Sequence, residues 1–121
     1  MLNELHSYSS EHFCYIATIG RVTGRLHEIE IWFALSGTTL YMLAGGRYNS
    51  DWVKNIERNP SVTVRIKDRM FVGQGRVVDE ASDEAIRARK LVGPKYGEWQ
   101  PDQAKVGWTW EALPVAVDLK P

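Results

Sequence analysis

Two glycines, two arginines and two threonines fall within the eight residues from Thr18 to Arg25. Gly20 and Gly24 permit a tight turn and a close approach of backbone to a ligand. Arg21 and Arg25 carry fixed positive charge in a planar fork suited to bidentate phosphate binding, and Thr18 and Thr23 add hydroxyl donors. Together they can form the phosphate-gripping hairpin of a flavin-type cofactor site. The same residues also make an ordinary hairpin tip with solvated arginines, because Gly-Arg turns are common.

A second polar group follows. Gly45, Gly46, Arg47 and Ser50 precede a segment with helical periodicity, and the free N–H groups of a helix start favour an anion. Asp51 opposes an anion there; it caps its own helix or pairs with an arginine. Gly45 and Gly46 remove side chains where a ring or ribityl chain would lie near backbone. Trp32 and Trp52 either wall a flat ring or belong to the core. Lys54 either reaches a phosphate or stays in solvent. Tyr48, Tyr96 and Trp108 either line an acceptor pocket or are structural. His6, His12 and His27 lack metal-ligand spacing. No Ser/His/Asp or Cys/His constellation can be argued, and no catalytic acid is visible.

A chain of 121 residues implies one domain, spanning 1–121. Fifteen basic and fifteen acidic side chains cancel, which gives no reason to expect nucleic acid or a membrane surface as partner. No apolar run is long enough to span a membrane. The stretch Met1 to His6 lacks the basic and apolar regions of a signal peptide. The single cysteine, Cys14, cannot form an intrachain disulfide and reads as a buried thiol. A reducing cytoplasm is the expected location. Five tryptophans suggest flat apolar surface for a ring system or a subunit interface.

The elements follow from periodicity. A short helix is expected within residues 2–12. Residues 13–19 are aromatic and β-branched and read as a strand. Residues 27–35 alternate as one strand, with Ile29, Ile31, Phe33 and Leu35 on one face. Residues 39–44 complete a three-stranded meander. Trp52, Val53 and Ile56 mark a helix ended by Asn59-Pro60. Residues 61–66 and 69–78 are two further strands, and Gly73 and Gly75 suggest a bulge or sharp bend. Ser82 caps a helix with Ile86, Leu91 and Val92 facing the core, broken at Gly93-Pro94. Residues 95–107 read as irregular or weakly helical. A sixth strand spans 110–119, where Pro114 argues for an edge or a bulge. Six strands, short helices and bend glycines predict a mainly β fold, a small antiparallel barrel.

The chain also resembles a known family. Thr18 to Arg25, followed by Glu30-Ile-Trp-Phe33, is similar to the "T-x-G-R-x-S/T-G" and "P-L-W-F" opening of the deazaflavin-dependent nitroreductases, also called coenzyme F-420-dependent quinone reductase-like. Trp52, and Asn55 to Pro60 with the strand after it, resemble that family's "W-x-x-N-L-x-x-N-P-x-V-x-V", and Leu113 to Val117 its "I-P-V-V-V". The likeness covers roughly three quarters of the chain. Glu30 stands in place of the usual Pro, Leu43 to Gly46 in place of a common "S-K-G-G", and Val53 in place of a common Tyr.

The resemblance implies a six-stranded split β-barrel of the FMN-binding type, related to pyridoxamine 5'-phosphate oxidase. It implies a deazaflavin cofactor, coenzyme F-420, with FMN as the alternative, lying across the barrel at a homodimer interface. Hydride would pass to a small electrophilic acceptor: a quinone, nitro compound or enone. An FMN-dependent oxidoreductase and a non-catalytic flavin carrier or sensor are the alternatives. The cofactor residues expected are Thr18, Gly20, Arg21, Thr23, Gly24, Arg25, Trp32, Ala44, Gly45, Gly46, Arg47, Ser50 and Trp52. Part of the cluster Trp99, Trp108 and Trp110 is expected against a partner subunit.

Overall fold

The computed structural model describes residues 7–96 and 108–120. Seven strands form one antiparallel sheet: β1 (Phe13–Ile19), β2 (Leu26–Trp32), β3 (Ala34–Ser36), β4 (Thr39–Ala44), β5 (Ser61–Ile66), β6 (Arg69–Val77) and β7 (Leu113–Leu119). The helices are α1 (Asp51–Arg58), α2 (Asp83–Val92) and the single turn α3 (Trp108–Glu111). Short 3-10 turns cover Arg47–Asn49 and Gly93–Tyr96. Of the helix expected within residues 2–12, the described part is residues 7–12, where 7–10 form a turn. Most of 95–107, including Trp99, lies outside the described residues.

The strand order is β2-β1-β5-β6-β7-β4-β3. The strand expected over 27–35 is therefore two strands on opposite edges of the sheet. β2 pairs β1 from Phe13↔Trp32 to Ile19↔Leu26, and β3 pairs β4. The break is at Phe33, which is fully buried and donates its backbone N–H to the His12 carbonyl at 3.1 Å. One residue joins the two edges, so the sheet must curl back on itself. This is why seven strands stand where six were expected: one long strand is split by the inward turn of Phe33. The predicted inward face survives the split, since Ile29, Ile31 and Leu35 pack with Phe33 against the main core.

Of the bulge or sharp bend expected in β6, the bulge is absent. The ladder to β7 runs from Gly73↔Leu119 to Val77↔Val115 without an extra residue, and the ladder to β5 runs unbroken from Ser61↔Gln74 to Ile66↔Arg69. The glycines serve close packing instead. A Cβ on Gly73 would meet the Asp118 carbonyl oxygen at 2.6 Å, and one on Gly75 would meet Ile56 of α1 at 3.0 Å. Gly75 thus lets α1 sit down on the sheet.

The last strand begins at Leu113, and Trp110 lies in the helical turn before it. Pro114 is not on an edge strand, because β7 runs between β6 and β4. Its carbonyl accepts from Val78 N–H at 3.0 Å, on the side of β6. In a strand a residue's N and C=O point the same way. Pro114 has no N–H to return to Val78, so the pairing of β6 with β7 ends just beyond Val77↔Val115.

The main core fills the curl with Ile16, Phe33, Leu40, Met42, Val64 and Leu113. A second cluster lies under α2, where Ala85, Ala88 and Val92 cover Tyr41, Leu43 and Ala116. The small residues take this face; Ile86, expected to face the core, is only half-buried. Ser82 caps α2 as expected, accepting from Ala85 N–H at 3.2 Å. Arg76 clamps α2 to the sheet, bidentate to Glu84 at 2.7 Å and paired with Asp118 at 2.7 Å, while the Tyr41 hydroxyl donates to Glu84 at 2.7 Å.

Two consequences for stability follow. Gly73→Ala pushes a methyl against backbone that cannot swing away, so it should destabilise by about 1–3 kcal/mol, as overpacking does. Gly75→Ala meets only the side chain of Ile56 and should cost less. Thermal melts check this, and equal midpoints for both variants and the parent would be inconsistent with it. The second concerns acid. The hydrogen bond from Arg76, then that from Tyr41, holds the Glu84 carboxyl at about 2, below its ordinary value of 4.5. A depressed folded value stabilises above the unfolded value, and that contribution is lost as pH falls from 4.5 toward 2. Denaturation midpoints of Glu84→Gln should fall less steeply than those of the parent across this window; identical slopes would contradict the clamp.

Candidate functional site

A cleft of about 430 Å³ opens between the β1–β2 hairpin and α1. Thr18, Gly20, Arg21, Val22, Thr23, His27, Glu28 and Ile29 come to it from the hairpin, and Asp51, Trp52 and Asn55 from the helix. The hairpin tip is tight. Gly20 N–H donates to the Arg25 carbonyl at 2.7 Å, Gly24 N–H to the Gly20 carbonyl at 2.8 Å, and Gly24 has a φ of 74°, which only glycine adopts freely. Thr23 Oγ1 accepts from Arg25 N–H at 3.2 Å and lies 3.4 Å from His27 Nε2. A Cβ on Gly20 would strike His27 Nε2 at 2.6 Å and Thr23 Oγ1 at 2.9 Å. Gly20 therefore leaves the imidazole and the hydroxyl room at the cleft wall.

Asn55 joins the two sides. It is 3% exposed. Its Nδ2 donates to Thr18 Oγ1 at 3.1 Å, which fixes the orientation of its amide. Its Oδ1 accepts from the Arg21 backbone N–H at 3.2 Å and from Arg21 Nη1 at 2.9 Å. The Arg21 guanidinium then reaches Asp51, with Nη2 3.0 Å from Oδ1. Asp51 thus pairs with an arginine, one of the two roles its sequence position allowed.

The expected cofactor residues divide into those that meet and those that do not. Thr18, Gly20, Arg21, Thr23 and Trp52 share the cleft. Gly24 supports the hairpin tip from outside the lining, and Arg25 is exposed beyond it. The second lip turns elsewhere. Arg47, at a φ of 52°, pairs with Glu80 and donates to the Glu111 carbonyl, away from the cleft. Ser50 precedes α1 without a side-chain capping bond, and its Oγ would lie 2.6 Å from a Cβ on Gly46. Ala44 is buried in the main core.

Gly45 and Trp32 belong to a different assembly. Trp32 stacks on Tyr96 with centroids 4.9 Å apart, and Tyr96 meets Trp108 at 4.7 Å. A Cβ on Gly45 would lie 2.8 Å from Trp108 Nε1, so its bare backbone makes room for that indole. Burial raises the Tyr96 hydroxyl above its ordinary value. Burial also lowers the Lys95 ammonium, which donates to the Ser9 and Glu11 carbonyls at 3.0 and 2.6 Å. Trp110 lies 5.7 Å from the Arg89 guanidinium. Cys14 is buried, and desolvation pushes its thiol up to about 12, so it is an inert core residue.

Asn55 and His27 were not among the residues expected at the site. The signal for Asn55 was present: a polar residue three positions after Trp52, on the same inward stripe as Trp52, Val53 and Ile56. Nothing local marked His27. It enters the cleft because Gly20, seven residues earlier, lacks a side chain.

A deazaflavin or flavin cofactor pairs a flat ring with a phosphate. The chemistry present suits both parts: guanidinium, hydroxyl and imidazole at the hairpin end, and Trp52 with Ile29 as apolar wall. Two carboxylates, Glu28 and Asp51, oppose the anion. Among the described residues no cluster of His, Cys, Asp or Glu can hold a metal ion. No helix described is long and apolar enough to cross a membrane.

Solved structures place the fold. The chain superposes on a conserved hypothetical protein, Rv2991, from Mycobacterium tuberculosis with a TM-score of 0.80 at 19% identity, covering 100% of this chain and 81% of that one. It superposes on an F420-H2 dependent reductase, FDR-A, with a TM-score of 0.66 at 19% identity, covering 88% and 94%. A pyridoxamine 5'-phosphate oxidase candidate from Listeria innocua gives 0.69 at 16% identity, covering 98% and 93%. No curated protein matches the chain in sequence. The curled antiparallel sheet has the fold of the pyridoxamine 5'-phosphate oxidase-like split barrels.

Residues 6–120 match the F420H(2)-dependent quinone reductase family, and the chain belongs to it. Its cofactor class is accordingly the reduced deazaflavin.

Proposed function

We propose that this protein passes hydride from reduced coenzyme F-420 to a small electrophilic acceptor, a quinone before a nitro compound or an enone. The cofactor supplies the hydride, and the protein has to orient it and exclude water. The observation that carries the reading is the convergence of Arg21, Thr23 and His27 beside Trp52 in one cleft. In this reading Arg21 and Thr23 hold the phosphate end, with Gly20 giving it access to backbone. Trp52 supports the ring. Arg25 reaches a bound anion only from outside the cleft. Gly45 and Gly46 keep the approach to the aromatic group bare, and Tyr96 and Trp108 present flat surface to an acceptor. FMN shares the ring and phosphate chemistry, and so remains the alternative ligand. The family's acceptor class supports a small molecule as the partner, met in this reading in the cytoplasm.

Arg21→Ala removes a charge-assisted contact worth about 1.5–3 kcal/mol, so cofactor affinity should fall roughly tenfold to hundredfold. Arg25→Ala should weaken binding less. Fluorescence titration with coenzyme F-420 reads both, and an Arg21→Ala variant that binds like the parent would remove the cleft from the account.

The assembly in this reading is a homodimer. Phe13, Leu26, Met70 and Val72 are large apolar side chains, 46–67% exposed, all on the outer face of β2, β1 and β6. Trp108, at 43% exposed, supports the earlier expectation for the tryptophan cluster, whereas Trp110 is half-covered within its own chain. Light scattering across a dilution series should report twice the chain mass, and Leu26→Glu with Val72→Glu should halve it. A monomer throughout, still binding cofactor, would discard the dimer.

A further inference from the structure

We propose that Asp51 sets how tightly the cleft takes an anion: the phosphate group of a ligand gains Arg21 by displacing the Asp51 carboxylate. The inference rests on the reading of the cleft as the cofactor's phosphate site.

The two edges of the Arg21 guanidinium differ. One edge is anchored. Nη1 donates to Asn55 Oδ1 at 2.9 Å, and Asn55 is itself buried and locked by its bond to Thr18. The other edge, Nη2, meets among the described residues only the Asp51 carboxylate, at 3.0 Å. That carboxylate is 85% exposed, while the arginine side chain is 32% exposed. The anchored edge holds the guanidinium in the cleft whether or not Asp51 stays. The exposed edge is held by a side chain that solvent can take over at little cost, since exposed ion pairs are weak. Charge in the cleft points the same way. Among the lining residues one guanidinium faces two carboxylates, Glu28 and Asp51. Glu28 already has a partner outside the cleft, Arg65 at 3.2 Å. Asp51 is therefore the charge that an arriving phosphate must replace. His27 is the remaining titratable group of the lining, 3.4 Å from Thr23 and on the hairpin side.

Asp51→Asn keeps the size of the side chain and its place in the first turn of α1 while removing the competing charge. Titration of the purified protein with coenzyme F-420 should show binding about two- to fivefold tighter than the parent's, the range an exposed ion pair commands. The gain should vanish in an Arg21→Ala background, because nothing is then contested. Asp51→Ser, a good first-turn residue, serves as a second variant if a melt shows Asp51→Asn unfolded. Unchanged or weaker binding in a folded Asp51 variant, with Arg21→Ala still weakening binding, overturns the proposal alone. A gain that persists without Arg21 also overturns it, since the effect would then be general repulsion. If Arg21→Ala leaves affinity unchanged, the cleft reading itself has failed and the proposal falls with it.

Discussion

The buried amide of Asn55 is the contact on which the cleft depends. A buried amide costs free energy unless its donors and acceptor are paired, and here each partner lies on the opposite element. Thr18 takes the donor, and Arg21 gives backbone and side-chain donors to the acceptor. Three hydrogen bonds therefore hold the first hairpin against α1. Neither element alone would hold the other at this distance, since a helix of eight residues and a hairpin tip have little core of their own. The same bonds decide which edge of Arg21 is left for a ligand.

The seat of α1 is set in turn by the sheet. Ile56 rests on Gly75, where a Cβ would meet its side chain at 3.0 Å. The curl of the sheet goes with Phe33, which turns inward and sends the chain from one edge of the sheet, β2, to the other, β3. Packing in the interior, hydrogen bonding under the helix and the shape of the cleft are thus linked through four residues: Phe33, Gly75, Ile56 and Asn55. The polar network on the far side, centred on Arg76, holds α2 and leaves the cleft free of it.

The division between Arg21 and Arg47 shows how a charge acquires its role. Both follow a glycine and both looked available to a phosphate. Arg21 is fixed by an amide that orients it toward the cleft. Arg47 finds a carboxylate in Glu80 and a carbonyl at the end of α3, and it turns away. The Glu80 carboxyl lies below its ordinary value because it accepts from Arg47. Residue type supplied the charge in both cases, and the nearest partner decided its direction.

Local chemistry was enough to determine much of this protein. Aromatic and β-branched residues located the strand from Phe13, period-two alternation that from Ser61, and turns bounded those from Thr39 and Arg69. The inward stripe of Trp52, Val53 and Ile56 marked α1, and Ser82 with its acidic first turn marked α2. The ordered motifs from Thr18 to Val117 pointed to the family. These are short-range signals, written in neighbours that share a face or a turn. What remained was decided between distant residues. Alternation continued smoothly through Phe33 and could not reveal that the strand changes partners there. Pro114 reads as an edge residue until β6 is seen to end beside it. Gly73 and Gly75 mark a bulge or a bend in the sequence, but the close approach of Asp118 and Ile56 to them is seen only in the fold. The site divides the same way: glycines, arginines and threonines announced a possible anion hairpin, but Asn55 and His27 joined it only once α1 was packed on Gly75 and Gly20 had left its space. A sequence carries the donors and acceptors, and only the tertiary structure settles which of them meet, because a hydrogen bond needs partners within about 3 Å whatever their separation along the chain.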